Sequence, residues 1–148
     1  MDIERPRIVV DTNVLIAGIR SPDGACRKFL RGILNGIATP VVSEPLFLEY
    51  EDVMSREQLF VSCPLSPHER EQLLDAFLAC CLWTEVYFRW RPNLRDEGDN
   101  FLIELAVASS ARSIISENKR DFQRSDLRFE EVQIWTALEF MEQSIWQL

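Results

Sequence analysis

Short apolar runs alternate along this chain with longer segments in which apolar residues recur every three or four positions. Ile8, Val9 and Val10 are consecutive and β-branched, which predicts a strand buried on both faces, as in a parallel sheet. Similar short runs predict four further strands. These are Ala38–Ser43, Thr84–Phe88, Ser113–Ile115 and Val132–Ile134.

The helical spacing of apolar residues predicts helices at Ala25–Leu34 and Asp99–Ala111. Asn35 and Gly36 follow the first of these and are typical of a helix end. Ser43 is a good N-cap residue and predicts the start of another helix after the second strand. The residues of that helix that should face inward are Leu46, Tyr50, Val53 and Met54.

Two capping boxes mark the starts of the remaining helices. Ser66 and Glu69 have the spacing of such a box, and the helix that they open should run through Trp83. Thr136 and Glu139 have the same spacing and predict a short closing helix.

The elements therefore follow the order strand, helix, strand, helix, helix, strand, helix, strand, strand, helix. An alternating order of this kind indicates an α/β protein, because parallel strands need helical crossovers. We expect a three-layer α/β/α sandwich with a central, mostly parallel sheet. No repeat or linker interrupts the pattern, so residues 1–148 are interpreted as a single domain.

Composition narrows the classes of function. The chain has 148 residues, is 47% hydrophobic and carries a net charge of -8, which argues against disorder and against diffuse attraction to nucleic-acid backbones. A nucleic-acid substrate is still compatible with this charge. No apolar stretch has the length of a membrane span and the first residues do not resemble a signal peptide, so we expect a cytoplasmic protein with no membrane partner. Its four cysteines and one histidine lack the spacing of a zinc site. The cysteines are interpreted as reduced thiols.

Acidic side chains stand where the predicted sheet would form a site. Asp11 directly follows the first strand, and in parallel sheets sites form at the carboxyl ends of strands. A lone Asp in this position can also merely cap the following turn. Several other polar residues are expected at the same edge, however, and converging carboxylates repel unless a cation lies between them. The set is Asp11, Glu49, Asp96, Asp99, Ser116 and Asn118.

Oxygen ligands without neighbouring His or Cys favour Mg²⁺ or Mn²⁺ over zinc. Magnesium sites of this kind act on phosphates, so the residues predict phosphate or phosphodiester hydrolysis without a side-chain nucleophile. A phosphatase that forms an aspartyl phosphate would need a second acid two residues after Asp11, where this chain has Asn13, so this class of enzyme is not favoured. The five glycines form no phosphate-binding loop.

Four blocks of sequence carry a resemblance to a known family. The blocks are IVVDTNVLIAG, VVSEPLFLEYEDVM, RDEGDNFLIELAVAS and SIISENKRDF, in this order over residues 7 to 135. Together they resemble the PIN-domain family of metal-dependent ribonucleases. The similarity is greatest to the bacterial branch that supplies the toxins of toxin-antitoxin systems.

The resemblance implies roles for individual residues. Asp11, Glu49 and Asp99 would bind the metal, and Asp96 matches an additional acid of the catalytic set. Among the supporting residues, Thr12 and Asn13 would orient the first acid and its waters, and Ser116 matches a small hydroxyl residue of the family. Asn118 stands where many PIN domains have a fourth acid, which puts a second metal site in doubt. Glu117 replaces a usual glycine. We expect it to point to solvent rather than to supply the missing charge.

The resemblance also implies the reaction and the partners. The expected activity is hydrolysis of single-stranded RNA by a metal-dependent endoribonuclease, leaving 5'-phosphate and 3'-hydroxyl ends. The expected partners are the RNA substrate, a cognate antitoxin protein and a second copy in a homodimer. Apart from the resemblance, four basic residues follow strand ends or adjoin the proposed site, where they could contact RNA phosphates or form ordinary surface pairs. They are Arg20, Lys119, Arg120 and Arg124.

An alternative class of function is a catalytically weak protein-interaction or regulatory module on the same fold. The acidic surface, which does not favour RNA binding, motivates this alternative. An aromatic group could form a protein interface or simply belong to the core. Its members are Trp83, Tyr87, Phe88 and Trp90.

Overall fold

The computed structural model describes residues 5–86, 100–123 and 132–143, and a five-stranded parallel sheet organises them. The order of the strands across the sheet is β3-β2-β1-β4-β5, so the first strand lies in the middle. The strands are β1 (Arg7–Val10), β2 (Thr39–Val42), β3 (Leu82–Trp83), β4 (Ser113–Ile115) and β5 (Gln133–Trp135). Their parallel pairing confirms the predicted α/β class.

The central strand is buried on both faces, as its unbroken apolar run predicts. Ile8, Val9 and Val10 are completely inaccessible to solvent. Val9 pairs with Val41 of β2 on one side and with Ile114 of β4 on the other. The polar residues that follow β1 and β4 are therefore carried to the same edge of the sheet.

Helices cover the sheet, and none of those in the described ranges is long and apolar enough to cross a membrane. The helices are α1 (Thr12–Arg20), α2 (Ala25–Leu34), α3 (Glu44–Met54), α4 (Pro67–Ala79), α5 (Asn100–Ser109), α6 (Arg120–Gln123) and α7 (Ala137–Met141), with a 3-10 turn at Glu57–Phe60.

The strand order places these helices in two layers. Parallel crossovers are almost always right-handed, so connections that step in opposite directions across the sheet lie on opposite faces. The connections from β1 to β2 and from β2 to β3 cross the sheet in one direction, which puts α1 to α4 on one face. The connections that contain α5 and α6 cross it in the opposite direction, which puts these two helices on the other face. Helix α7 packs on α2, and Phe140 meets Phe29 edge-on with ring centroids 5.6 Å apart.

Helix α1 was not expected from the sequence. Its residues Val14, Leu15 and Ile19 are fully buried and have helical spacing. Because they continue the apolar run of β1, strand and helix merge into one segment when the sequence is read by hydrophobicity alone. The chain changes from strand to helix at Asp11, whose backbone is still extended.

The boundary between α4 and β3 differs from the prediction. The sequence predicts that α4 runs through Trp83, but the helix ends at Ala79. Leu82 and Trp83 instead pair in parallel with β2. The strand expected at 84–88 is therefore displaced, and its last two residues lie outside the described ranges. The amide N–H of Thr84 still bonds to the carbonyl of Val42, at 2.9 Å, where the ladder ends. The apolar residues of CCLW fit a helix as well as an edge strand, which explains the error.

The two predicted capping boxes are present. Ser66 accepts from the amide of Glu69 while the Glu69 carboxylate accepts from the amide of Ser66, and Thr136 and Glu139 do the same. These hydrogen bonds lower the pKa of both glutamates, with the bond from the backbone amide as the largest cause. Gly36, with a φ of 87°, ends α2 in the left-handed conformation, as predicted for this position.

Glu104 of α5 is a buried carboxylate with an orphaned atom. The residue is 8% exposed, and within the described part of the chain its Oε1 atom has no hydrogen-bond partner. Replacing Glu104 by Leu should raise the free energy of unfolding in urea by about 1–3 kcal/mol, because an unsatisfied polar group leaves the interior. The same change at exposed Glu71 should alter it by less than about 0.5 kcal/mol. A lower urea midpoint for Glu104→Leu would contradict this prediction.

Candidate active site

Asp11 stands at the junction of β1 and α1 and is bound on several sides. Its amide N–H donates to the carbonyl of Ile115 at 2.8 Å, which continues the ladder between β1 and β4 by one bond. Its Oδ2 atom accepts hydrogen bonds from the Ser116 hydroxyl at 2.8 Å and from the Asn13 amide at 3.3 Å. The carboxylate is thereby held over the carboxyl ends of two neighbouring strands.

Asn13 and Ser116 connect the start of α1 to the turn after β4. The Asn13 side-chain amide donates to Ser116 Oγ at 3.3 Å, and its oxygen accepts from the backbone N–H of Glu117 at 3.0 Å. Ser116 Oγ also accepts from the N–H of Asn118 at 3.0 Å. The Ser116 hydroxyl, which is fully buried, thus donates one bond and accepts two, which is its full capacity.

Glu49 reaches the same edge of the sheet from α3. This helix starts where predicted, with the Ser43 hydroxyl accepting from the N–H of Leu46 at 3.4 Å. The buried Thr12 hydroxyl donates to Glu49 Oε2 at 2.6 Å. Within the described ranges no hydrogen bond reaches Glu49 Oε1. One carboxylate oxygen is therefore anchored, while the other is not engaged by the described residues.

These residues meet at the switch point of the sheet. β2 lies on one side of β1 and β4 on the other, so the connections leave β1 and β4 in opposite directions. Ligands of open α/β sheets bind in the crevice that forms at this point, outside the carboxyl ends of the strands. The structure brings together Asp11, Thr12, Asn13, Glu49, Ser116 and Asn118 there.

Tyr50 lies beneath this crevice, and its part in the site was not foreseen. The sequence predicts Tyr50 only as a core residue, and its ring is indeed completely buried. Its hydroxyl donates to the carbonyl of Val10. Burial raises the pKa of Tyr50 well above its ordinary value, and the neighbouring groups Cys81, Asp11 and Glu49 add to this in that order. The phenol therefore stays a neutral donor close to both carboxylates.

Glu117 is exposed to solvent, as expected, but its carboxylate also accepts hydrogen bonds from two neighbouring helices. Its Oε1 atom accepts from the Cys26 thiol at 2.9 Å and from the backbone N–H of Ala137 at 3.4 Å. The carboxylate thus ties the turn after β4 to the starts of α2 and α7. Burial, followed by the bond to Glu117 and the charge of Glu117, raises the pKa of Cys26 to about 12, so this thiol is a protonated donor.

Three predicted site residues lie outside the described ranges. They are Asp96, Asp99 and Arg124. Within the described ranges, no three His, Cys, Asp or Glu side chains form a group that could hold a metal ion. The described part of the site thus contributes a pair of acids, Asp11 and Glu49.

This pair suits a hard divalent cation. The donors at the crevice are carboxylate, hydroxyl and amide oxygens, which Mg²⁺ and Mn²⁺ prefer. The hydrogen bonds that Thr12, Asn13 and Ser116 donate to the two carboxylates come from neutral groups, so they orient the acids without removing their charge. The donor set therefore fits the cation expected from the sequence.

The predicted RNA contacts have different surroundings. Lys119 donates to both carboxylate oxygens of Glu139, at 3.0 and 3.2 Å, and is held by this ion pair. Arg20 is exposed at the far end of α1, about 12 Å along the helix from Thr12. Arg120 is exposed and follows Asn118 by two residues, so it lies close to the site in sequence.

Only Trp83 of the predicted aromatic group lies within the described ranges, since 87–99 are outside them. Trp83 is 53% exposed and packs on Phe47 of α3, with ring centroids 5.2 Å apart. Neighbouring Leu82 is 41% exposed. At Trp83 the structure therefore shows a surface residue rather than ordinary core packing.

Comparison with known proteins agrees with this architecture. The crystal structure of VapBC2 from Rickettsia felis bound to a DNA fragment from their promoter is similar in fold, with a TM-score of 0.60 and 15% sequence identity over 88% of this chain and 98% of that chain. No curated protein matches the sequence. The family model of the PIN domain matches residues 7–120, which is well over half of the chain. The protein therefore belongs to the PIN-domain family, as its sequence motifs predict.

Proposed function

We propose that this protein is an endoribonuclease that requires Mg²⁺ or Mn²⁺ and hydrolyses single-stranded RNA. The observation that carries the proposal is the pair Asp11 and Glu49, which different elements hold at the switch point through neutral hydrogen-bond donors. PIN domains are generally nucleases that use divalent metals, and membership of this family supports the same chemistry here.

Asp11 and Glu49 would bind the cation together with Asp99, and Asp96 would complete the acidic set. When bound, the cation would lower the pKa of a water molecule and neutralise charge on the scissile phosphate. Thr12, Asn13 and Ser116 keep the carboxylates in fixed orientations. Asn118, an amide, would accept a hydrogen bond from water but would add no negative charge.

Hydrolysis then proceeds by in-line displacement at phosphorus. The water oxygen forms a bond to phosphorus, and the bond from phosphorus to the ribose 3'-oxygen breaks. A carboxylate of the site takes the proton of the attacking water, and the departing 3'-oxygen gains a proton from solvent. The products carry a 5'-phosphate and a 3'-hydroxyl. Arg20, Arg120 and Arg124 are the proposed phosphate contacts, whereas Lys119 would have to leave Glu139 first.

The proposed setting is the cytoplasm, with the protein acting as the toxin of a toxin-antitoxin pair. The resemblance of the four sequence blocks to that branch supports this proposal. The similar fold in a complex called VapBC2 is compatible with it. A cognate antitoxin and a second copy of this chain are the proposed protein partners.

The test is cleavage of an end-labelled single-stranded RNA by the purified protein with Mn²⁺, Mg²⁺ or EDTA. We expect cleavage with either cation, none with EDTA, and product ends that a 5'-phosphate-dependent ligase accepts. Cleavage that persists in EDTA and leaves 2',3'-cyclic phosphate ends would contradict the proposal.

A second candidate function is an interaction module with little or no catalysis. The exposed Trp83 on Phe47 favours it, because large aromatic side chains at a surface often mark protein interfaces. The two functions differ in their dependence on the acids. An inert scaffold would show neither RNA cleavage nor Mn²⁺ binding that Asp11→Asn removes.

A further inference from the structure

The peptide unit that leads into Asp11 is held at both of its polar groups. The Asp11 N–H donates to Ile115 of β4, and the carbonyl of the same peptide, which belongs to Val10, accepts from the Tyr50 hydroxyl of α3. A peptide unit is planar, so fixing its N–H and its carbonyl fixes the plane from which the next Cα extends. Tyr50 thus acts on the position of Asp11 from the helix that carries Glu49.

A second tie crosses in the opposite direction. Thr12, the residue after Asp11, donates to Glu49, the residue before Tyr50. Consecutive residues 10–12 are therefore linked twice to consecutive residues 49–50. The Glu49 carboxylate is part of this short closed arrangement, and the Asp11 carboxylate extends from its backbone. The pairing of β1 with β2 stops at Val9 and Val41, so the hydroxyl of Tyr50 meets β1 just beyond that ladder.

The ring of Tyr50 is itself fixed by packing. Tyr50 is 0% exposed and meets Phe77 of α4 edge-on, with centroids 5.8 Å apart and planes at 77°. A buried phenol that is held in this way has little freedom to follow a shift of the strand. Its hydroxyl can therefore serve as a fixed reference point for the end of β1.

We infer that Tyr50 is a positioning residue that sets the separation of the Asp11 and Glu49 carboxylates and thereby the affinity of the site for a divalent cation. This inference rests on the proposed function. Groups that orient the ligands of a metal commonly change its affinity about 10- to 100-fold when they are removed. Tyr50 acts through a backbone carbonyl, and we expect an effect at the lower end of this range.

The test is calorimetric titration of Mn²⁺ into the wild-type protein, Tyr50→Phe, Ile33→Val and Asp11→Asn. Tyr50→Phe keeps the ring and its contact with Phe77 but removes the hydroxyl. Ile33→Val is the matched control, because it removes one buried methylene from α2 and weakens the core without touching the site. We expect the dissociation constant to rise about tenfold in Tyr50→Phe and to stay at the wild-type value in Ile33→Val.

The outcomes separate the two claims. If Asp11→Asn loses Mn²⁺ binding while Tyr50→Phe binds as tightly as wild type, the positioning role is overturned and the proposed function stands. If Tyr50→Phe and Ile33→Val weaken binding equally, the effect is general destabilisation and the inference is also overturned. If wild type and Asp11→Asn both bind no Mn²⁺, the proposed function fails and takes the inference with it.

Discussion

Asp11→Asn should reduce the metal-dependent cleavage of single-stranded RNA by roughly 100-fold or more in kcat/KM, because it removes charge from the centre of the proposed metal site. The asparagine side chain retains an oxygen that can accept from Ser116 and Asn13. The melting temperature without metal should not fall, since the change also relieves repulsion between neighbouring carboxylates. Initial rates with Mn²⁺ and thermal unfolding in EDTA measure the two effects.

Asp52→Asn is the matched control for this variant. Asp52 lies on α3, is exposed and pairs with Arg56 at 2.6 Å, away from the crevice. It undergoes the same change from acid to amide and should cleave RNA at the wild-type rate. Undiminished cleavage by Asp11→Asn would count decisively against the proposed mechanism.

Glu49→Gln should also lower kcat/KM, by roughly 100-fold. The amide oxygen of a glutamine at this position can still accept from the Thr12 hydroxyl, so geometry is largely kept while one negative charge is lost. Cleavage rates over a series of Mn²⁺ concentrations should show that part of the loss is recovered at high Mn²⁺, because weakened binding of the cation is the cause.

Glu51→Gln provides the comparison on the same helix. Glu51 is two residues further along α3, is exposed and lies outside the crevice. Its replacement should leave both the rate and the Mn²⁺ dependence unchanged. Equal losses in Glu49→Gln and Glu51→Gln would indicate a general effect of charge on RNA binding and would refute the specific role of Glu49.

Much of the fold could be predicted because its signals are local. The apolar strands β1, β2 and β4, the two capping boxes and the glycine after α2 each depend on residues close together in sequence. The boundary between β1 and α1 could not be predicted, since one continuous apolar run serves a buried strand and then a buried helix face. The position of β3 at Leu82–Trp83, instead of the expected 84–88, could not be predicted for a similar reason, because the apolar residues before it fit a helix as well as a strand.

The candidate site was only partly accessible to sequence reasoning. Asp11 and Ser116 could be placed together because both follow strands of a parallel sheet, and their contact at 2.8 Å agrees with that expectation. The roles of Tyr50 and Glu117 could not be seen. Their partners, Val10 and Cys26, are far away in sequence, and side-chain hydrogen bonds of this kind leave no periodic signal.

The most direct measurement is an anomalous-scattering experiment on a crystal of this protein soaked in Mn²⁺. We predict one strong peak between the carboxylates of Asp11 and Glu49, with oxygen ligands only and with Asp99 contributing one of them. A map with no peak in this crevice, from a crystal in which Mn²⁺ binds elsewhere, would contradict this prediction. A crystal structure in which these acids face away from one another would contradict it as well.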